Sequence, residues 1–362
     1  MEPEDQPQPS DSVASALSSA PTQVVDVFQP LPLTDVQVNP PEPAETRFLR
    51  WAFLGNNGIR AGWSIAIFLV LFTCFTAIAG TAYFLISGHG HFGPSKQPSQ
   101  TPQSLTAVRQ IVGEGIQVFG LLCATAIMAL IERRRITAYY LAGPKPVRHF
   151  VSGLVGGFAA LSALVGVLYL GHWITFGPVA LSGIAIVQYA ALWAIGFLLV
   201  GLSEEGLFRC YFLFTVTRGF FARPLGFWLA ALLSSLLFGA AHMGNSGESQ
   251  FGVICTATIG FVFCMSIRYT GSLWWAIGFH AAWDWAQTFF YGTADSGLVA
   301  KGHWLTTNPA GNPLWSGGSV GPEGSLLILP IILLTALGLY LGYGRKPQPA
   351  TAPALASVLD QS

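Results

Sequence analysis

Charge is what this sequence has least of. Only 9% of its 362 residues are Asp, Glu, Lys or Arg, against roughly 25% in an average soluble protein, and so few charges cannot cover a water-facing surface. The 17 Lys and Arg balance 17 Asp and Glu, which leaves no basic field to gather nucleic acid and excludes that class of partner. Cysteine is scarce as well. Cys74, Cys123, Cys210, Cys255 and Cys264 lie in apolar stretches without CxxC spacing, so neither a disulfide scaffold nor a zinc finger has anything to build on, and packing is their plain reading. No internal repeat is visible, which weighs against a transporter made of duplicated halves. The opening segment places acids where a signal peptide carries Lys and Arg and has no apolar core. The first hydrophobic segment is therefore expected to stay in the mature protein.

What the chain has in abundance is apolar length: 52% of it is hydrophobic. Residues 1–46, rich in Pro, Ser, Gln and acids, predict a disordered cytoplasmic tail, and 347–362 a second one. Between them, residues 47–346 read as a transmembrane bundle. The apolar runs lie at 63–86, 111–131, 150–170, 184–214, 225–241, 252–267, 273–290 and 325–343, each near the ~20 residues that a bilayer-crossing helix needs. The expected fold is an all-α polytopic membrane helix bundle of about eight spans. Lys and Arg in short loops mark the cytoplasmic side. With both termini cytoplasmic, Arg47, Arg50, Arg60, Arg133, Arg134, Arg135, Lys145, Arg148, Arg218, Arg223, Arg268, Arg345 and Lys346 all fall inside. Only Lys96, Arg109 and Lys301 fall outside. An integral protein of the cell inner membrane is the expected setting.

Polar residues within these spans are the functional candidates, because an ionisable group at a span centre costs about 2.5–3.5 kcal/mol on insertion scales. Glu205 and Arg209 stand four apart on one helical face, in the favourable order for an ion pair. Glu204, about 100° around the helix, is left without a local partner. His242 closes the fifth span, and His280 and Asp284 stack at four-residue spacing in the seventh. Glu204, His242, His280 and Asp284 can thus converge. Such a group can bind a divalent metal such as zinc, or hold and deprotonate a water, and both uses lead to hydrolysis. Proton- or ion-coupled transport uses the same residue types. For the Glu205 and Arg209 pair alone, a structural role is the plainer reading.

Taken together, Glu-Glu-x-x-x-Arg at 204–209, Phe-x-x-x-His at 238–242 and His-x-x-x-Asp at 280–284 resemble the three motifs of the CPBP family of intramembrane proteases. That family includes the type II CAAX prenyl endopeptidases and bacteriocin-processing or immunity proteins. The resemblance covers about 150–295 and implies a membrane-embedded peptidase acting on a peptide or membrane-protein substrate. It implies that Glu204 activates a water, assisted by His242, that His280 with Asp284 stabilises the oxyanion, and that Glu205 and Arg209 hold the site together. It is compatible with a metal at these residues and with a metal-free, glutamate-activated water. Related proteases often carry Asn at position 284. A carboxylate there can only accept hydrogen bonds, which points Asp284 toward orienting His280 or binding metal. The alternatives to a peptidase are a proton- or ion-coupled carrier and a catalytically silent immunity or scaffold protein.

Counting rise per residue sets His280 about 10 Å above the cytoplasmic start of its span and His242 at the far end of its own. Bringing them level requires tilted helices or shifted boundaries, with His242 on a helix running on toward Asn245. The other candidates have plainer readings. His89 and His91 suit a solvated loop, and His149, His172 and His303 suit span ends. Arg133 to Arg135 serve as a topology anchor and lipid contact, and Gly153 and Gly157 as a helix-packing pair. Trp274, Trp275, Trp283 and Trp285 suit an interfacial belt or a pocket wall, with the belt favoured near 274.

Overall fold

The computed structural model describes residues 44–55, 58–87, 104–220, 224–245 and 249–344. The tails expected at 1–46 and 347–362 lie outside these, except for 44–46, which open a helix. The short α1 (Ala44–Phe53) leads through a small hairpin, β1 (Leu54–Gly55) with β2 (Gly58–Ile59), into α2 (Ala61–Ser87). Then follow β3 (Ser104–Leu105), α3 (Ala107–Ile131), α4 (Pro146–Leu170), β4 (Ile174–Phe176) and α5 (Ile184–Glu205). A π-helical stretch, Gly206–Leu213, continues α5 into α6 (Phe214–Phe220). Next come α7 (Pro224–Ala241), α8 (Gln250–Thr270) and α9 (Trp274–Trp285), the last extended by a π-helical turn to Phe290. A capping segment follows, with β5 (Val299–Ala300), β6 (Thr307–Pro309) and α10 (Pro313–Ser316), before α11 (Ile328–Leu339).

Six of these helices are long and apolar enough to cross a membrane, and the apolar helix Ile328–Gly344 is shorter. With α9 and its π turn, the helices coincide with the eight apolar runs, and the chain is an all-α polytopic bundle. The fourth crossing is the longest, Ile184–Gly219, because α5, the π stretch and α6 form one continuous rod. The seventh is short because its start is buried. Ser272 and Leu273 are enclosed, Leu273 donates its N–H to the carbonyl of Tyr140, and the Trp274 indole donates to that of Leu141. The α8–α9 turn therefore sits beneath the α3–α4 connection, which carries His280 further along the bundle than a count from the surface gives. Trp274, expected in an interfacial belt, is spent on this contact.

At the same end, the Glu132 carboxylate gathers Arg218 (3.1 Å), Tyr139 (3.3 Å), Tyr211 (3.4 Å) and Arg134 (3.4 Å), joining the end of α3 to α6 and the π stretch. Arg134 thus turns inward, while Arg133 and Arg135 stay exposed. Burial, and secondarily Arg218, lowers the Arg134 pKa from its ordinary value.

The closest helix contact joins α4 to α9. A Cβ at Gly153 would fall on the carbonyl oxygen of Trp275, one at Gly157 on that of Phe279, and one at Gly278 on that of Phe150. The two backbones thus meet without intervening side chains, as small-residue motifs permit, and this contact fixes the helix bearing His280. Gly157→Val is expected to force them apart at a cost of about 1–3 kcal/mol, read as a lowered Tm in detergent. Gly166→Val, on the same helix with open space beside it, should leave Tm unchanged.

Candidate active site

Two successive residues at the end of α5 point different ways, as their 100° separation requires. Glu205 turns into the protein and is fully buried. Its Oε1 accepts from Arg209 Nη1 at 3.0 Å and from His280 Nδ1 at 3.1 Å. Arg209 is itself fully buried, with its guanidinium 3.9 Å from the centre of the Phe238 ring and 5.5 Å from that of Phe263. These ring faces supply the cation with partners that an apolar bundle otherwise lacks. Gly260 makes room, since a Cβ there would lie 2.6 Å from Nη2.

Glu204, about a quarter-turn round the helix, faces a cavity of about 380 Å³. Its Oε2 lies 3.8 Å from His242 Nε2 and 3.7 Å from His280 Nε2. His242 sits just past α7, in a 3-10 turn, His242–Gly244, that carries the helix on to Asn245, the extension expected from the sequence. Its Nδ1 is 2.8 Å from the Phe238 carbonyl. A carbonyl only accepts, so Nδ1 carries the proton, and in the neutral ring Nε2 turns its lone pair toward Glu204. Asp284 Oδ2 is 3.6 Å from His280 Nε2. All four residues suggested by the sequence therefore border one cavity, with Glu205 and Arg209 behind it. The residue that holds His280 at Nδ1 is Glu205; Asp284 faces the other nitrogen.

Three further acids belong to this region, and no local sequence pattern marks them. Glu114 of α3 accepts from the Ser203 hydroxyl at 2.7 Å, one residue before Glu204. Asp295 and Glu323 come from the capping segment and line the cavity, where they accept from Thr288 (2.9 Å) and the Trp283 indole (3.0 Å). Burial pushes the Asp295 carboxyl above the usual range. Trp283 is thus a pocket wall, one of the two readings for its cluster. Of the histidines set aside, His149 packs edge-on against Tyr343 and His303 bonds Ala300. His89 and His91 lie outside the described residues. No disulfide joins the five cysteines.

The oxygen and imidazole nitrogens around the cavity are donors of the type a divalent ion accepts, and Glu204 Oε2 is buried without a hydrogen-bond partner. Among the described residues, however, no group of three His, Cys, Asp or Glu side chains is arranged to hold an ion. As they stand these residues do not form a ready metal set.

Residues 186–286 match the family of type II CAAX prenyl endopeptidases, Rce1-like. The Rce1-like stretch contains Glu204, Glu205, Arg209, His242, His280 and Asp284, and it supports a membrane-embedded peptidase. No curated protein and no solved structure matches the chain. Glu114, Asp295 and Glu323 lie outside the Rce1-like stretch.

Glu205→Ala leaves both a buried guanidinium and His280 without their carboxylate, and is expected to cost about 3–5 kcal/mol. Thermal unfolding in detergent measures it. Glu204→Ala, which opens onto the cavity, should lower Tm far less.

Proposed function

We propose that this protein is an intramembrane endopeptidase in which Glu204 and His242 activate a water against a peptide bond. The observation that carries the reading is the disposition of Glu204 Oε2 and His242 Nε2. They are two acceptors 3.8 Å apart, too far for a direct hydrogen bond and well placed to share the two protons of one water. In the neutral ring, the proton on His242 Nδ1 leaves Nε2 free to accept.

In this reading the Glu204 carboxylate takes a proton from the water as its oxygen bonds the scissile carbonyl carbon, and the carbonyl electrons move onto oxygen. His280, hydrogen-bonded to Glu205 at Nδ1, offers Nε2 to that oxyanion; as an imidazolium it donates from both nitrogens. Collapse breaks the C–N bond, and Glu204 returns its proton to the departing amine. Asp284 lies beside the same Nε2 and serves to hold a proton there, which a carboxylate does more strongly than an amide oxygen. The substrate is a peptide or a segment of another membrane protein, reached within the bilayer.

Glu204→Gln and His242→Ala are each expected to lower cleavage at least ~10²-fold while the purified protein keeps the wild-type Tm. The assay compares peptides from membranes holding wild-type or variant protein and looks for a fragment that the variants do not produce. Unchanged fragments with Glu204→Gln would leave a scaffold role instead. Cleavage is further expected to survive a chelator that strips divalent ions. A loss restored by zinc alone would transfer activation of the water to a metal at the same side chains.

A further inference from the structure

The bundle has two ends, and cations are divided unequally between them. At one end the α3–α4 connection packs on the α8–α9 turn and, through Glu132, on Arg218. This end carries Arg60, Arg133, Arg134, Arg135, Lys145, Arg148 and Arg268. At the other, β3 pairs with β5 and β4 with β6, so the capping segment 291–327 is strapped over the starts of α3 and α5. The described cations there are Arg109 and Lys301.

The cavity belongs to this second end. Its lining comes from the first turn of α3 (Gln110), the turn after α7 (His242, Asn245), α8 and α11 from their first residues inward, the capping segment (Asp295, Glu323), and, deeper in the bundle, α5 (Val200, Glu204) and α9 (His280, Asp284). None comes from 132–145 or 268–273. Depth agrees. Glu114, bonded to the neighbour of Glu204, is seven residues after Ala107 and seventeen before Ile131, or about 10 Å from the cation-poor end of α3 and about 26 Å from the arginine triplet.

Short-loop Lys and Arg remain in the cytoplasm. We infer that the site takes its peptide from the extracytoplasmic side. Its substrate class is a polypeptide segment already translocated, either an exported peptide or the outward-facing end of a membrane protein, and not a cytoplasmic tail. This rests on the peptidase reading for the word substrate, but the sidedness stands on geometry and charge alone.

Two measurements test it separately. Asn308→Cys in β6 and Thr137→Cys in the α3–α4 connection, both exposed, are treated in intact cells with a membrane-impermeant maleimide and read against the parent chain. Labelling of N308C in intact cells, and of T137C only after permeabilisation, is the expected result. The reverse pattern, or both labelled from outside, overturns the inference. A peptide cleaved by the detergent-solubilised protein is then given to sealed vesicles of each orientation. Right-side-out vesicles should cleave it at least tenfold faster, and faster cleavage by inside-out vesicles overturns the inference. Absence of cleavage in detergent would sink the peptidase reading, while the labelling still decides the side.

Discussion

A carboxylate enclosed by hydrocarbon has to be surrounded by protons, and the Glu205 side chain is the point on which the rest of this bundle turns. One oxygen binds the guanidinium of Arg209 and the imidazole of His280, so a single group joins the long fourth crossing to the seventh. The arginine in turn lies against rings from α7 and α8. Burying charges in this way contributes little net stability, because desolvation offsets most of the attraction, but once buried each partner makes the others indispensable. What the arrangement supplies is position. His280 cannot rotate without giving up its bond to Glu205, and so presents its other nitrogen to the cavity where Glu204 waits.

The two ends of the molecule serve that centre differently. At the arginine-rich end, Glu132 and its four partners tie α3, α6 and the π stretch together, and the buried α8–α9 turn is tucked under a loop. At the opposite end, short strand pairs clamp the capping segment across the helix starts. Between them the glycine faces of α4 and α9 let two backbones touch, so the helix bearing His280 and Asp284 is held along its length by main-chain shape as well as by its ends.

Much of this could be read in the sequence. The apolar runs gave the crossings to within a few residues, since no other pattern satisfies a backbone in lipid. The motif spacings placed Glu205 with Arg209 and His280 with Asp284, because helical periodicity is local. Other features depend on tertiary packing and leave no local trace. Glu114 lies almost ninety residues before its partner Ser203, and Asp295 and Glu323 reach the cavity only because the capping segment folds back over it. The level meeting of His242 and His280 required the α8–α9 turn to be buried, for which the Gly271–Ser272 pair is an ambiguous sign. That Glu205, and not Asp284, would hold His280 at Nδ1 depended on the rotation of α5 against α9.

The π-helical stretch at Gly206–Leu213 has a consequence for chain length. Its rings close over one residue more than those of an α-helix, so the rod carries a surplus there relative to its rise. Loss of one residue there could be absorbed by closing the stretch as α-helix, whereas gain of a further one would turn everything beyond Phe214 by about 100°, swinging Arg218 off Glu132. Added length in this part of the chain is thus limited by the geometry at both ends of the rod. The strapped segment after α9 is under no such constraint, since a longer loop there changes the roof of the cavity and leaves its floor as it was.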